Sequence, residues 1–138
     1  MSPGKADAQL RAAGLRPTRQ RLALTELLFR AGHRHVTAEA LHVEAASAGC
    51  HVSLATVYNT LHRFTDTGLL RAVVVDASRS YFDTNTGPHQ HFYDEEQGAL
   101  IDIDTGTISV SGVPAPPRGT EVAGIDVVVR LRRNADIY

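Results

Sequence analysis

Cysteine is almost absent from this chain of 138 residues, and Cys50 is the only one. A single thiol excludes an intrachain disulfide and any Cys-x-x-Cys metal clip. Apolar runs are also short, and none approaches the roughly 20 residues that a membrane-spanning helix needs. Residues 1–7 lack the apolar core of a signal peptide. We therefore expect a cytoplasmic protein with no membrane partner.

Acidic and basic residues are nearly balanced overall, but they are unevenly distributed. The net charge is −1, yet residues 1–84 carry ten Lys or Arg against seven acids, and residues 85–138 carry four against eight. The hydrophobic content of 43% is typical of a globular chain. A basic half followed by an acidic half predicts a polyanion-binding module in front of a domain with another role.

Residues 53–64 predict a helix that begins at the N-cap Ser53 and is closed by Gly68. One face of this helix is apolar and carries Leu54, Val57, Leu61 and Phe64. The other face has small, uncharged or singly basic side chains: Ala55, Thr56, Asn59 and Arg63. Tyr58 lies at the boundary. Such a face suits a close approach to base edges, although an ordinary amphipathic core helix is the alternative for this helix alone.

The segments around this helix favour DNA binding. Helices are predicted over residues 6–13, from Pro17 or Thr18 to Gly32, and from Thr37 to Gly49, and a short link over 49–52 completes a helix-turn-helix. Arg16 and Arg19, at a helix entrance, suit phosphates or a minor groove, unless they form a plain solvated helix start. Predicted strands over 69–75 and 80–83, joined by a turn over 76–79, form the wing. Residues 1–83 therefore predict a winged helix-turn-helix DNA-binding domain.

The rest of the chain predicts a second, smaller domain. Residues 84–88 have the composition of a hinge, and strands are predicted over 91–93, 99–103, 107–110 and 124–131. So few strands bury little surface, so we expect residues 89–138 to form a mostly β dimerisation domain. A homodimer presents two recognition helices to a two-fold double-stranded DNA operator. The predicted fold class is α+β.

Histidine and aspartate residues form a candidate metal site. His89 and His91 project to the same side of a strand, and an acid within the apolar run 100–103 costs burial energy unless it is paired or coordinated. The predicted ligands are His35, Asp83, His89, His91 and Asp102. Imidazoles and carboxylates without thiolate suit iron, manganese or zinc. Because the ligands come from both domains, a shared ion would fix the hinge angle and the spacing of two recognition helices.

Several segments resemble the ferric uptake regulator family: Gly14-Leu15-Arg16-Pro17-Thr18, His35-Val36-Thr37-Ala38-Glu39, Gly68-Leu69-Leu70 and residues 53–61. The resemblance covers most of the chain and implies that the five predicted ligands form a regulatory metal site, with the acid types of the peroxide-sensing branch. It places a minor-groove contact at Arg16 and a base contact at Tyr58. Together with the helix pattern, the predicted DNA contacts are Arg16, Arg19, Ser53, Thr56, Tyr58, Asn59 and Arg63.

Within that family the chain is most similar to the iron response regulators of alphaproteobacteria, over residues 52–61, 81–85 and 125–132. That resemblance implies control of haem biosynthesis and iron homeostasis. It also implies that haem binds at His89 and His91 and that a haem-delivering enzyme is a partner.

Four departures from the family pattern change what is expected. No paired Cys-x-x-Cys is present, so no structural zinc held by four cysteines is predicted. Pro88, Gln90 and Asp126 stand where a second metal site would have ligands, and residues 114–117 replace a long helix. Asn59 stands where the family often has arginine. Since asparagine pairs best with adenine and arginine with guanine, we expect a different operator.

The predicted function is a DNA-binding transcriptional regulator of iron homeostasis and haem biosynthesis that responds to haem or iron. Its expected cofactors are haem, one divalent ion per subunit (Fe(II), Mn(II) or Zn(II)), or both. The alternative is an Fe(II)- or Mn(II)-dependent peroxide-sensing or metal-uptake repressor, released by oxidation of His35 or His89. A permanently bound structural metal also stays open. A metal hydrolase is the alternative from another class, but no general base accompanies the ligands, so we predict that the chain is not an enzyme.

Overall fold

The computed structural model describes residues 3–76, 79–104 and 106–134. The chain divides into two compact units, Met1–Thr86 and Gly87–Tyr138. Within the described ranges, no helix combines the length and the apolar character needed to cross a membrane.

Four helices build most of the first unit: α1 (Pro3–Ala12), α2 (Arg19–Phe29), α3 (Ala38–Ser47) and α4 (Leu54–Asp66). The last three begin at hydroxyl N-caps, Thr18, Thr37 and Ser53, and each hydroxyl accepts a hydrogen bond from the backbone N–H three residues later. After α4, Gly68 has a φ of 81°, a left-handed conformation that glycine adopts without steric cost. The predicted helix limits at Ser53 and Gly68 are therefore confirmed.

One hydrophobic core holds the helices of the first unit together. Its fully buried members include Leu10, Leu24, Leu28, Leu41, Val57, Leu61, Phe64 and Phe82. Leu54 was predicted on the buried face of α4, but it is 36% exposed. The first turn of α4 thus extends beyond the core, and only the later apolar positions anchor this helix.

A three-stranded antiparallel sheet completes the first unit. Its strands are β1 (His35–Val36), β2 (Arg71–Asp76) and β3 (Arg79–Asp83), in the order β1-β3-β2. The β2–β3 ribbon that follows α4 is the predicted wing, although Ala77 and Ser78 of the predicted turn lie outside the described residues. The short strand β1 was not predicted, and it pairs His35 with Asp83. The winged-helix prediction is confirmed.

The second unit contains a separate sheet of β4 (Gln90–Asp94), β5 (Ala99–Ile103) and β6 (Val128–Leu131), in the order β5-β4-β6. β5 runs antiparallel to β4, whereas β6 runs parallel to it. The side-chain carbonyl of Gln90 accepts a hydrogen bond from the Val127 N–H at 2.8 Å, which fixes the start of β6. The Arg133 guanidinium donates to Asp94 at 2.7 Å and holds the pKa of that buried carboxyl below its ordinary value.

Two strand predictions for this unit need correction. The strand predicted over residues 107–110 is wrong, and between Ile103 and Val128 the described residues contain neither helix nor strand. The strand predicted over 124–131 is limited to Val128–Leu131. Val110 and Val113 are about half exposed, so their β-branched side chains lack the packed neighbours that stabilise a strand.

Candidate functional site

In the first unit, His35 and Asp83 form one half of the predicted metal site. They are direct partners in the β1–β3 register, and His35 Nε2 lies 3.2 Å from Asp83 Oδ2. The Asp83 side chain is 1% exposed, and its Oδ1 accepts a hydrogen bond from the Asn85 N–H at 2.9 Å. The fold therefore buries a carboxylate with one oxygen held by the backbone and the other facing an imidazole.

Arg34 fixes the strand ends around this pair. Its guanidinium donates two hydrogen bonds to the Glu44 carboxylate, at 2.9 and 2.6 Å. Its backbone N–H donates to Thr84 Oγ1 at 2.9 Å, and the Thr84 N–H donates to the Arg34 carbonyl at 3.1 Å. The shared hydrogen bonds lower the pKa of Glu44 and raise that of Arg34. Thr84, predicted to begin the hinge, is thus bonded within the first unit.

In the second unit, His89, His91 and Asp102 form the other half. His91 and Asp102 are partners in the β4–β5 register, and Asp102 Oδ1 lies 3.4 Å from His91 Nε2 and 3.7 Å from His89 Nε2. The two ring centroids are 4.5 Å apart. His89 and His91 are 6% and 1% exposed, whereas the Asp102 side chain is 48% exposed. Asp102 is therefore not the buried acid that the sequence suggested.

A hydrogen bond orients His89. Its Nδ1 lies 2.7 Å from the Gly87 carbonyl oxygen. Because a carbonyl only accepts, Nδ1 is the donor in this hydrogen bond, which leaves Nε2, on the side of Asp102, as the nitrogen that could bind an ion.

The donor set of both halves fits a divalent ion. Within the second unit, one ligand atom from each of His89, His91 and Asp102 lies within 4.8 Å of the others. Imidazole nitrogens and carboxylate oxygens are the ligands that iron, manganese and zinc accept, and none of the five predicted ligands is a thiolate that would shift the preference. The residues predicted as ligands are therefore brought together within each unit, two in the first and three in the second.

On α4, the predicted DNA contacts differ in their exposure and in the hydrogen bonds that their side chains already make. Tyr58, Asn59 and Arg63 are exposed, and Thr56 is half-buried. The Ser53 hydroxyl donates to Thr56 Oγ1 at 2.9 Å and accepts from the Thr56 N–H at 3.1 Å. Ser53 and Thr56 are thus committed first to capping the helix.

At the entrance of α2, Arg16 and Arg19 are exposed. The Arg21 guanidinium donates to the Arg16 carbonyl at 3.0 Å.

Tyr58 has neighbours that sequence reasoning missed. Its hydroxyl donates to Glu39 Oε1 at 2.5 Å, which lowers the pKa of Glu39 and raises that of Tyr58. Its ring stacks on His62, with centroids 6.3 Å apart, and His62 contacts the edge of Phe82 at 5.5 Å. Only the Tyr58–His62 spacing of four residues was visible beforehand, since Glu39 comes from another helix.

His42 also has an unforeseen partner. Its Nε2 donates to the Val52 carbonyl at 2.9 Å, which ties α3 to the turn before α4.

Comparison with known proteins gives one family. The model of the ferric uptake regulator family matches residues 12–125. Among curated proteins, a peroxide-responsive repressor of Staphylococcus aureus strain Mu50 is 37% identical over 96 residues, and the repressor of strain USA300 is 37% identical over the same length. Each match spans 70% of this chain but only 64% of the relative, less than two thirds of its length.

Solved structures have the same fold. A ferric uptake regulator from Pseudomonas aeruginosa with manganese is 27% identical, has a TM-score of 0.68 and is matched over 93% of this chain and 97% of its own. The regulator from Vibrio cholerae is 23% identical, with a TM-score of 0.72 over 92% of this chain and 98% of its own. At that identity the likeness is one of fold, and it agrees with the predicted α+β class.

Proposed function

The chain belongs to the ferric uptake regulator family, and we propose that it is a metal-responsive, DNA-binding transcriptional regulator. The family predicted from the sequence is thereby confirmed. The observation that carries the proposed function is the pair of half-sites: His35 with Asp83 in one unit, and His89, His91 and Asp102 in the other. Neither half alone offers the four or more ligands that iron, manganese and zinc usually take.

We assign one divalent ion to the two half-sites together. Each half-site contains a nearly buried ligand next to a second one: Asp83 lies 3.2 Å from His35, and His91 lies 3.4 Å from Asp102. An ion held by ligands from both units would restrict the angle between the units. Metal binding would therefore favour one conformation among those that the apo protein samples. In this proposal the metal acts on DNA binding through that angle.

DNA binding is assigned to α4 and to the entrance of α2. The exposed side chains of Tyr58, Asn59 and Arg63 lie on the second helix of a helix-turn-helix, the element that enters the major groove in that motif. The net positive charge of residues 1–84 supports phosphate contacts, for which Arg16 and Arg19 are the candidates. Ser53 and Thr56 are proposed to contact DNA at the helix start while they cap it.

A homodimer is part of the proposal. Val110, Val113, Val122 and Ile125 of the second unit are exposed by 43 to 50%. A small unit with several exposed apolar side chains is stabilised by association with a second copy. We expect light scattering at increasing protein concentration to give twice the mass of one chain.

We propose divalent metal rather than haem as the effector, which replaces the first sequence prediction by its alternative. The curated relatives are named peroxide-responsive repressors, and the Pseudomonas structure is described with manganese. His89 and His91 are at most 6% exposed, and the cavity beside His89 is about 130 Å³. Sites for organic ligands usually measure about 300–1,000 Å³. A haem response, with its haem-delivering enzyme, would therefore require this region to open.

An operator mobility shift tests the proposed function. Duplexes selected by the Mn(II)-loaded protein are titrated with apo, Mn(II)-loaded, Fe(II)-loaded and haem-loaded protein. We expect Mn(II) and Fe(II) to tighten binding, and peroxide to release only the iron-loaded protein if this chain senses peroxide. A haem absorption band with loss of DNA binding would favour the haem-responsive alternative. Turnover of an ester, peptide or phosphate would instead support a hydrolase.

A further inference from the structure

Glu39 and Tyr58 meet at the surface of the first unit. Glu39 lies in the first turn of α3, and Tyr58 lies in the second turn of α4. Both residues are exposed, yet the Tyr58 hydroxyl donates to Glu39 Oε1 at 2.5 Å. The ring of His62 stacks on Tyr58 with its plane only 18° away from parallel. The position of the Tyr58 oxygen is thus set by partners on two elements.

The direction of this hydrogen bond follows from the chemistry of the two groups. An ionised carboxylate has no proton and only accepts, so the Tyr58 hydroxyl must be the donor. The bond lowers the pKa of Glu39 and raises that of Tyr58, so both groups keep these protonation states near neutral pH. With its only proton committed, the Tyr58 oxygen has lone pairs but nothing to donate. Glu39 Oε2 is likewise an acceptor.

We propose that Glu39 determines base specificity by making the Tyr58 hydroxyl an acceptor-only group that selects an exocyclic amino group in the major groove. This inference rests on the proposed function, because it requires α4 to enter that groove. In the major groove the amino groups are N6 of adenine and N4 of cytosine. Guanine O6 and N7, thymine O4 and the phosphates are acceptors, and a second acceptor beside them is repelled.

The charge of Glu39 supports the same conclusion. A carboxylate at a surface that approaches phosphates weakens binding to every DNA sequence, since each added negative charge opposes counterion release. Acceptor carboxylates at base edges are otherwise known as partners of cytosine N4. A residue without an acceptor at position 39 would leave the Tyr58 hydroxyl free to donate as well as to accept.

The test compares four Mn(II)-loaded proteins: wild type, Glu39→Ala, which removes the acceptor of the Tyr58 hydroxyl, Tyr58→Phe and the double variant. Duplexes are first selected by the wild type from a randomised pool. Each base pair of the selected sequence is then replaced by the other three, and relative affinities are measured by competition. Asp66→Ala is the matched control, because it removes one exposed acid from the other end of α4.

We expect one base pair at which the wild type prefers adenine or cytosine on one strand by roughly three- to tenfold, the range of a single hydrogen bond. Glu39→Ala and Tyr58→Phe should each abolish that preference, and the double variant should lose no more. Asp66→Ala should strengthen binding to all duplexes without changing any preference. Unchanged preferences in Glu39→Ala, or additive effects in the double variant, would overturn the role of Glu39. If the wild type enriches no duplex at all, the proposed function itself fails.

Discussion

His35 and Asp83 face each other across the antiparallel strands β1 and β3, with Nε2 and Oδ2 3.2 Å apart and the carboxylate 1% exposed. This pair makes a two-residue strand chemically important, because β1 serves to bring an imidazole opposite a buried acid. The pair supplies only two ligands. Its proposed role therefore depends on the three ligands of the second unit.

Asp83→Asn tests the first half-site. The amide oxygen can still accept from the Asn85 N–H, so the fold should survive, but the negative charge that attracts a cation is lost. We expect Mn(II) affinity to fall by about tenfold or more. Isothermal titration calorimetry measures this, with Asp66→Asn as a charge-matched control. Equal Mn(II) affinity in the two variants would show that Asp83 is not a ligand.

Removal of the histidine pair tests the second half-site. His89→Ala with His91→Ala should abolish the effector response of DNA binding while leaving the circular dichroism spectrum of a folded protein. Because His91 is buried, the cavity should lower the melting temperature. Asp102→Asn separates the loss of a metal ligand from the loss of stability. Because the Asp102 side chain is 48% exposed, its replacement should change the melting temperature little. A full metal response in both variants would refute this half-site.

The Arg34–Glu44 pair makes stability depend on pH. Its bidentate hydrogen bonds lower the pKa of Glu44, so the pair stabilises the fold above the ordinary glutamate pKa of about 4.3, and that stability is lost as the pH falls through the lowered value. We expect Glu44→Gln to cost about 1 kcal/mol of unfolding free energy at pH 7, because both side chains are about one-third exposed. Urea unfolding measures the difference. It should shrink in acid, and a difference that grows in acid would contradict this role.

Asn59 should set part of the operator sequence. Asn59→Arg replaces a side chain suited to adenine by one suited to guanine. We expect the selected duplexes to change from adenine to guanine at one base pair, with a discrimination of about 1–3 kcal/mol. Selection from a randomised pool, repeated for both proteins, measures the change. Identical selected sequences would place Asn59 outside the base contacts.

The sequence predicted the first unit better than the second. Helix α4 was predicted with both ends, because its N-cap Ser53 and its closing Gly68 are local signals. Leu54 was misplaced, since periodicity cannot tell where a helix extends past the core. In the second unit, β-branched residues at 107–110 resembled a strand but have no paired strand in the described part of the chain.

The residues of the candidate site were proposed from the sequence, but their geometry could not be. His89 and His91 were recognised by their spacing, and Asp102 by its apolar neighbours. The Asp102 side chain is nearly half exposed because of which face of the sheet is covered. The alternation of residues along a strand does not by itself define the covered face. The Glu39–Tyr58 bond joins residues 19 positions apart on two helices, and no local pattern could reveal it.

The stoichiometry of metal binding tests most directly whether the two half-sites share one ion that controls DNA binding. Mn(II) bound per chain and operator affinity are measured together for wild type, Asp83→Asn and Asp102→Asn. We expect the wild type to bind one ion per chain, and either substitution to weaken that ion and to remove the metal-dependent gain in DNA affinity. A shared regulatory site would be contradicted by two independent ions, one lost in each variant. It would also be contradicted by an operator affinity that does not change with Mn(II).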